Sequence, residues 1–158
     1  MMNIHLLTVG TPDPVWQPHL THYEKLLSPY AKILTKTITA TAFSSPDTRT
    51  RAQHEETTRL LAAVPEHADI VVLTEWGKSM TSETFAQTVA TWDDGRTVAL
   101  LVGGPAGIDR TLLPKKALLL SLSPMTFPHD IAHTLLLEQC YRSVTILKDR
   151  KSTRLNSS

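Results

Sequence analysis

The chain has 158 residues, of which 41% are apolar and 20% charged, with a formal net charge of +1 and one cysteine. These figures fit one globular domain with a core of its own, leave no room for a second, and give no global attraction to nucleic acid. No apolar run approaches the roughly 18 to 20 residues that span a bilayer, the start lacks a basic segment followed by an apolar one, and one thiol closes no internal disulfide, so a reducing, cytoplasmic setting without membrane contact is expected.

Asn3 to Val9 (NIHLLTV) is a short apolar run stopped by Gly10, a strand, and Pro12-Asp13-Pro14 then launches a helix through about Tyr30. Trp16, Leu20, Tyr23, Leu26 and Leu27 share one face of it, a stripe read as core packing, and Pro18 falls in the first turn, where a missing amide costs little. Ile33 to Ala40 alternates apolar and polar residues and is rich in β-branched types, which predicts a half-exposed strand near a sheet edge. Ser44-Ser45-Pro46-Asp47 caps a second helix that runs to about Val64. Asp69 to Leu73 (DIVVL) lacks alternation, so it reads as a strand buried on both faces that ends in a glycine turn over Thr74 to Lys78. Thr81 or Ser82 caps a third helix carrying the chain to Trp92, and Asp93-Asp94-Gly95-Arg96 turns it into the strand Val98 to Val102. Strands alternating with helices predict a parallel α/β sheet.

Chemistry concentrates between Thr97 and Arg142. The strand Val98 to Val102 stops at Gly103-Gly104-Pro105-Ala106-Gly107, and a further apolar run, Ala117 to Leu122, breaks into Ser123-Pro124-Met125-Thr126-Phe127-Pro128-His129 before a last helix begins. In an open α/β sheet ligands sit beyond the carboxyl ends of strands, and glycine there permits positive φ and close approach to the main chain. The glycine run is neither the dinucleotide fingerprint nor a phosphate loop, and taken alone it reads as a structural turn. His129 and His133 stand one helical turn apart, as in zinc hydrolases, with Glu138 a possible third ligand. Asp130, however, occupies the place of that motif's glutamate base, and Pro128 sets His129 at a helix start, where a polar cap is the simpler account; no metal is expected. Cys140, within an apolar helix, reads as a packed thiol and not a nucleophile.

Seven blocks recur in order: Val9-Gly10-Thr11; His22 to Leu26; Val72-Leu73 with Glu75 and Gly77-Lys78; Ser82-Glu83 with Phe85-Ala86; Leu101 to Gly107; Leu122-Ser123 with Met125-Thr126 and Pro128-His129; and Leu137 to Gln139 with Tyr141-Arg142. By their spacing, over nearly the full length, they resemble the small SPOUT-superfamily methyltransferases that methylate N3 of a pseudouridine in the 23S RNA of the large ribosomal subunit. The resemblance implies a parallel-sheet α/β fold whose carboxy-terminal segment is threaded into a deep trefoil knot, which general rules of chain topology would have argued against. It implies S-adenosyl-L-methionine held by Leu73, Gly103, Gly104, Leu122, Ser123, Pro124, Met125, Thr126 and Phe127, with His129 and Arg142 as the catalytic pair around the uracil ring. It also implies a homodimer in which the second subunit completes the site, acting on the large subunit or the assembled ribosome.

The chain departs from that family at Thr74, where Asp is usual, at Trp76, where Arg is frequent, and at His133, also an Arg position, so that a cationic contact there would depend on protonation. Its last ten residues, Asp149 to Ser158 (DRKSTRLNSS), resemble translated sequencing adapter, so a domain over 1–148 and a non-native tail over 149–158 are expected. Setting aside Asp149, Arg150, Lys151 and Arg154 leaves 13 basic against 14 acidic residues, a net charge of −1 that favours recognition of an assembled surface. The family's His-Pro-Tyr-His-Arg ending is not found after Lys148, so slow methylation is expected.

Overall fold

Five runs rich in Val, Ile and Leu become the strands of one sheet: β1 (Met2–Val9), β2 (Ala31–Ile38), β3 (Asp69–Ser79), β4 (Thr97–Val102) and β5 (Leu118–Ser121). In the computed structural model, which describes residues 1–156, every strand pairing is parallel and the order is β2-β1-β4-β3-β5. The parallel sheet is as expected. So is the place of β2 at an edge, where Lys32 and Lys36 are exposed and blunt the unpaired strand.

Four helices, α1 (Gln17–Leu27), α2 (Pro46–Ala62), α3 (Ser82–Ala90) and α4 (His129–Asn156), cover the sheet on its two faces. Because side chains alternate along a strand, Ile4 and Leu6 of β1 and Val98, Leu100 and Val102 of β4 point to one face and pack with Leu20, Phe85, Leu136 and Cys140 of α1, α3 and α4. Leu7, Val9, Ala99 and Leu101 point to the other and meet Leu60 of α2. Cys140 is fully buried and its thiol is pushed up to about 12 by burial, which makes it the core residue expected and not a nucleophile.

Local sequence explains the helix ends. Ser45 accepts a hydrogen bond from the Thr48 amide at 3.2 Å while the Thr48 hydroxyl accepts from the Ser45 amide at 2.9 Å, a reciprocal cap for α2. For α3 the cap is Thr81, accepting from Thr84 at 3.1 Å, so Ser82 is already helical. α3 stops at Ala90, and Trp92 sits in a following 3₁₀ turn, edge-on to Phe85. Helix α1 begins only at Gln17, which corrects the reading of its apolar stripe: Trp16 precedes the helix and lies tilted against His19, and the core contacts come from Leu20, Tyr23 and Leu27.

A second correction concerns β3, which does not end in a glycine turn. Leu73 pairs with Leu120, and after an irregularity Lys78 pairs with that same residue, so Thr74 to Gly77 loop out of the ladder while the strand continues to Ser79. Gly77 has no positive φ, and its role is steric. A Cβ there would lie 2.7 Å from the carbonyl carbon of Leu119 and 2.8 Å from its oxygen, so glycine is what lets the two backbones come together. At the other end of the chain α4 runs unbroken to Asn156, so Asp149 to Asn156 of the expected tail continue it, and Ser157 and Ser158 lie outside the described residues. Among the described residues no helix is long and apolar enough to cross a membrane.

Candidate functional site

Leu73 and the looped-out part of β3, the carboxyl ends of β4 and β5 and the start of α4 enclose a cleft of about 570 Å³. Leu73, Gly103, Gly104, Leu122, Ser123, Met125, Thr126 and Phe127 all line it, and so does His129. Pro124 is exposed and is not among its lining residues. Distant sequence blocks are therefore brought to one place by the sheet, as the strand-end rule for α/β folds anticipates.

Each wall is held by its own bonds. Of the glycines after β4 only Gly107 takes a positive φ, closing a turn in which its amide donates to the Gly104 carbonyl at 3.0 Å. Gly103 and Gly104 are needed for space: a Cβ would come within 2.9 Å of Ile108 Cδ1 at the first and of Val9 Cγ1 at the second. The loop is pinned to α2 by Gln53 Nε2 donating to the Ala106 carbonyl at 3.3 Å and by the Asp109 amide donating to Thr57 Oγ1 at 2.8 Å. Across the cleft, the Ser121 hydroxyl lies 3.1 Å from the Glu75 carbonyl and 2.9 Å from that of Ser123, tying the looped-out part of β3 to the β5–α4 loop. Thr74, in the same wall, keeps a buried hydroxyl without a hydrogen-bond partner among the described residues.

The start of α4 is anchored by Asp130, a carboxylate in the first helical turn, where the helix dipole favours it. Its Oδ2 accepts from the Asp13 amide at 3.1 Å and its Oδ1 lies 3.4 Å from His129 Nε2. One turn on, His133 is 3% exposed, and its Nε2 has no partner among the described residues. Burial pushes its pKa down to about 4, an effect that Asp130 opposes and His129 reinforces. His133 is therefore neutral near pH 7, so the protonation on which a cationic contact at this position would depend is absent there.

That burial sets an acid limit on stability. Above about pH 6.5 the residue is neutral in both folded and unfolded chains, whereas below it the unfolded chain takes up a proton that the folded one refuses until about pH 4. Stability should thus fall as pH drops through that window, and His133→Gln should reduce the loss between pH 7 and 4.5 by about 2.5 kcal/mol. Urea unfolding of both proteins at the two pH values measures it; equal losses would mean that His133 is not held neutral.

The zinc alternative loses its third ligand. Glu138 is engaged by Arg142, and among the described residues no group of three or more His, Cys, Asp or Glu is placed to hold a metal ion. Arg142 itself does not line the cleft. It follows His129 along α4 by 13 residues, roughly 20 Å at the helical rise, so one chain does not bring the two catalytic candidates together. Its guanidinium donates to Glu138 Oε1 through Nε at 3.0 Å and Nη2 at 2.6 Å; Gln139 donates to the other carboxylate oxygen and accepts from Ser82.

Residues given no site role from sequence also face the cleft. Arg49 and Gln53 reach it from α2, and Glu75 and Trp76 from the looped-out part of β3. The Arg110 guanidinium lies 4.4 Å from the centre of the Trp76 ring, a cation–π contact. A signal for the α2 pair was present: Pro46, Arg49, Thr50 and Gln53 recur at helical spacing on a polar face.

Comparison with known proteins bears on the same residues. Positions 2–151 match a family described as "Predicted SPOUT methyltransferase". A protein of Paraburkholderia phymatum named "Ribosomal RNA large subunit methyltransferase H" is 35% identical over 156 residues, covering 98% of this chain and 100% of the relative. Another of that name from Hydrogenovibrio crunogenus is 37% identical over 156 residues, covering 94% and 96%. Among solved structures, one described as "Structural insights into the 2-OH methylation of C/U34 on tRNA" matches at 15% identity with a TM-score of 0.46, over 91% of this chain and 97% of that one, a likeness too low to add to the sequence matches.

Proposed function

The chain belongs to the SPOUT methyltransferase family, and from that premise we propose that it transfers a methyl group from S-adenosyl-L-methionine to N3 of a pseudouridine in the 23S RNA of the large ribosomal subunit, working as a homodimer. The observation that carries this reading is the cleft, where eight of the nine residues expected to contact the donor converge with His129. The relatives' names support an RNA of the large subunit as acceptor.

The cleft has the chemistry the donor needs. Leu73, Ile108, Leu122 and Phe127 give apolar walls for a purine, and Gly103 and Gly104, whose missing side chains would collide with Ile108 and Val9, contribute backbone to the lining. The buried hydroxyl of Thr74 is an unused polar group in the same wall. When bound, S-adenosylmethionine supplies a methyl group on a positively charged sulfur. The protein's part is then to align the acceptor nitrogen and to manage its proton. N3 of the ring is an imide nitrogen that must lose its proton to become a good nucleophile. His129 takes that proton at Nδ1, and the Asp130 carboxylate beside Nε2 stabilises the imidazolium that forms. Arg142 of the partner subunit steadies the charge that develops on the uracil ring.

Two measurements test the reading together. Calorimetry with S-adenosylmethionine should give saturable binding at one site per chain, and label from the methyl donor should appear in the RNA of large subunits that lack the modification, at N3 when the nucleoside is mapped. Donor binding without label in that RNA would leave a binding module without turnover, and no donor binding would remove the cleft assignment itself.

A further inference from the structure

We propose that a groove leaving the cleft along α2 holds the single-stranded RNA next to the acceptor nucleotide, with Arg49 against a phosphate and Phe43 beneath a base. The proposal rests on the reading of the cleft as an RNA methylation site and adds where the strand runs.

The groove has a volume of about 610 Å³ and is formed by the β2–α2 turn and the α2 stripe Pro46, Arg49, Thr50 and Gln53, with Phe43 also lining it. Arg49 and Gln53 line the cleft as well, so the two spaces adjoin at these side chains. Among the described residues Arg49 is the one charged side chain in the groove, and its guanidinium has no hydrogen-bond or ion-pair partner there. Arg59 is engaged with Thr39 and Thr41, Arg96 with Asp69 and Asp94, and Arg142 with Glu138, whereas Arg51 of the same helix is exposed but does not line the groove. Asp47 and Glu55 belong to the same helix but do not line the groove.

Phe43 is 38% exposed and belongs to neither core cluster, so packing does not explain an aromatic ring at that place. Apart from Pro46, the remaining lining is hydroxyl and amide, from Ser44, Ser45, Thr50 and Gln53, suited to sugar and phosphate. The opposite flank of the cleft, from Ser123 to Pro128, offers no charged side chain. Chemistry at the acceptor also asks for a single strand, because N3 lies on the base-pairing edge and is reached only in an unpaired nucleotide. With a net charge of only +1, attraction for the backbone must be local, and an unpaired arginine with an aromatic platform is how single strands are held.

The test is direct binding, which needs no turnover. Fluorescence anisotropy with a labelled single-stranded RNA spanning the methylated region of 23S RNA is run on the full chain between 50 and 200 mM salt. Arg49→Ala should lower the slope of log affinity against log salt by about 0.7 and weaken binding about fivefold, with Arg49→Lys restoring the slope. Phe43→Ala should weaken binding about tenfold with the slope unchanged and with unaltered affinity for S-adenosylmethionine. Arg96→Ala, on a paired arginine at the other end of β4, should change nothing. Circular dichroism checks that each variant folds. If the wild type binds this RNA while Arg49→Ala and Phe43→Ala match it in affinity and slope, the groove is not the track. If duplex RNA competes as well as the single strand, the stacking role of Phe43 is wrong. Donor binding by a wild type with no affinity for large subunits, assembled ribosomes or any 23S fragment would instead overturn the RNA reading on which the groove depends.

Discussion

Replacing Gly77 by alanine should destabilise the protein by about 4 kcal/mol, in the range reserved for severe core and backbone defects, and abolish donor binding with it. One methyl group has this effect because of what it meets. The Cβ would stand 2.7 Å from the Leu119 carbonyl carbon, 2.8 Å from its oxygen and 2.9 Å from the Leu120 nitrogen, all main-chain atoms of β5. A flexible side chain could swing away; a strand paired along its length cannot move without losing its ladder. The pairs at stake are Lys78 with Leu120 and Ser79 with Ser121, and it is the Ser121 hydroxyl that ties β5 to the Glu75 carbonyl. The cleft wall formed by Thr74, Glu75 and Trp76 would therefore go with the pairing. Domains of this size have a total stability of about 5 to 15 kcal/mol, so the variant should remain foldable at low temperature and be measurable by urea unfolding. Gly95→Ala serves as the comparison, since a Cβ there meets nothing within 4 Å and only its φ of 88° is strained; it should cost about 1 kcal/mol. A Gly77→Ala protein as stable as the Gly95→Ala one would mean that β3 and β5 do not approach in this way.

Gly77 also illustrates which parts of the structure the sequence could reveal. Uninterrupted apolar runs identified β4 and the first half of β3, because a strand buried on both faces has no polar residue to hide, and the order of strands and helices was enough to predict a parallel sheet. A glycine after such a run, though, looks the same whether it turns the chain or makes room for a neighbour. Gly107 does the first, at a φ of 86°, and Gly77 the second, and only the backbone of β5 distinguishes them. His133 poses the same difficulty, since a histidine one turn from another reads as a metal ligand or a switch until the packing around it is known. The cleft residues from Leu122 to Phe127 were legible only through resemblance, for an irregular loop has no periodicity to read. Arg49 and Phe43 were missed because a polar helix face is usually just solvated, and it was the opening of a groove beside them that gave the face a meaning.

Separation of the two catalytic candidates leads to the remaining prediction. His129 lines the cleft, whereas Arg142 lies roughly 20 Å further along the same unbroken helix, a distance no side-chain rotation spans. If both act on one uracil ring, they must come from different subunits of the proposed dimer. His129→Ala and Arg142→Ala should then each lower the methylation rate by about 100-fold or more, the scale of a lost general base or a lost charge contact. Both proteins should keep their affinity for S-adenosylmethionine within about threefold if these side chains act on the acceptor rather than the donor. Mixing the two inactive proteins under conditions that allow subunit exchange should restore activity. Half of the dimers would be mixed, and each of those would join an intact His129 from one subunit to an intact Arg142 from the other at one of its two sites, for about a quarter of the wild-type rate. The double variant mixed with itself, or with either single variant, can form no intact pair and should stay inactive. No recovery in the exchanging mixture, with exchange verified by mass spectrometry, would mean that the two residues do not meet across the dimer and would remove Arg142 from the reaction. Glu138 sharpens the test: it holds the Arg142 guanidinium through Nε and Nη2, so Glu138→Gln should keep the arginine charged but less well aimed. Its rate should fall less than that of Arg142→Ala and should recover in the same mixture with His129→Ala, because the position it disturbs lies on the same subunit as the arginine.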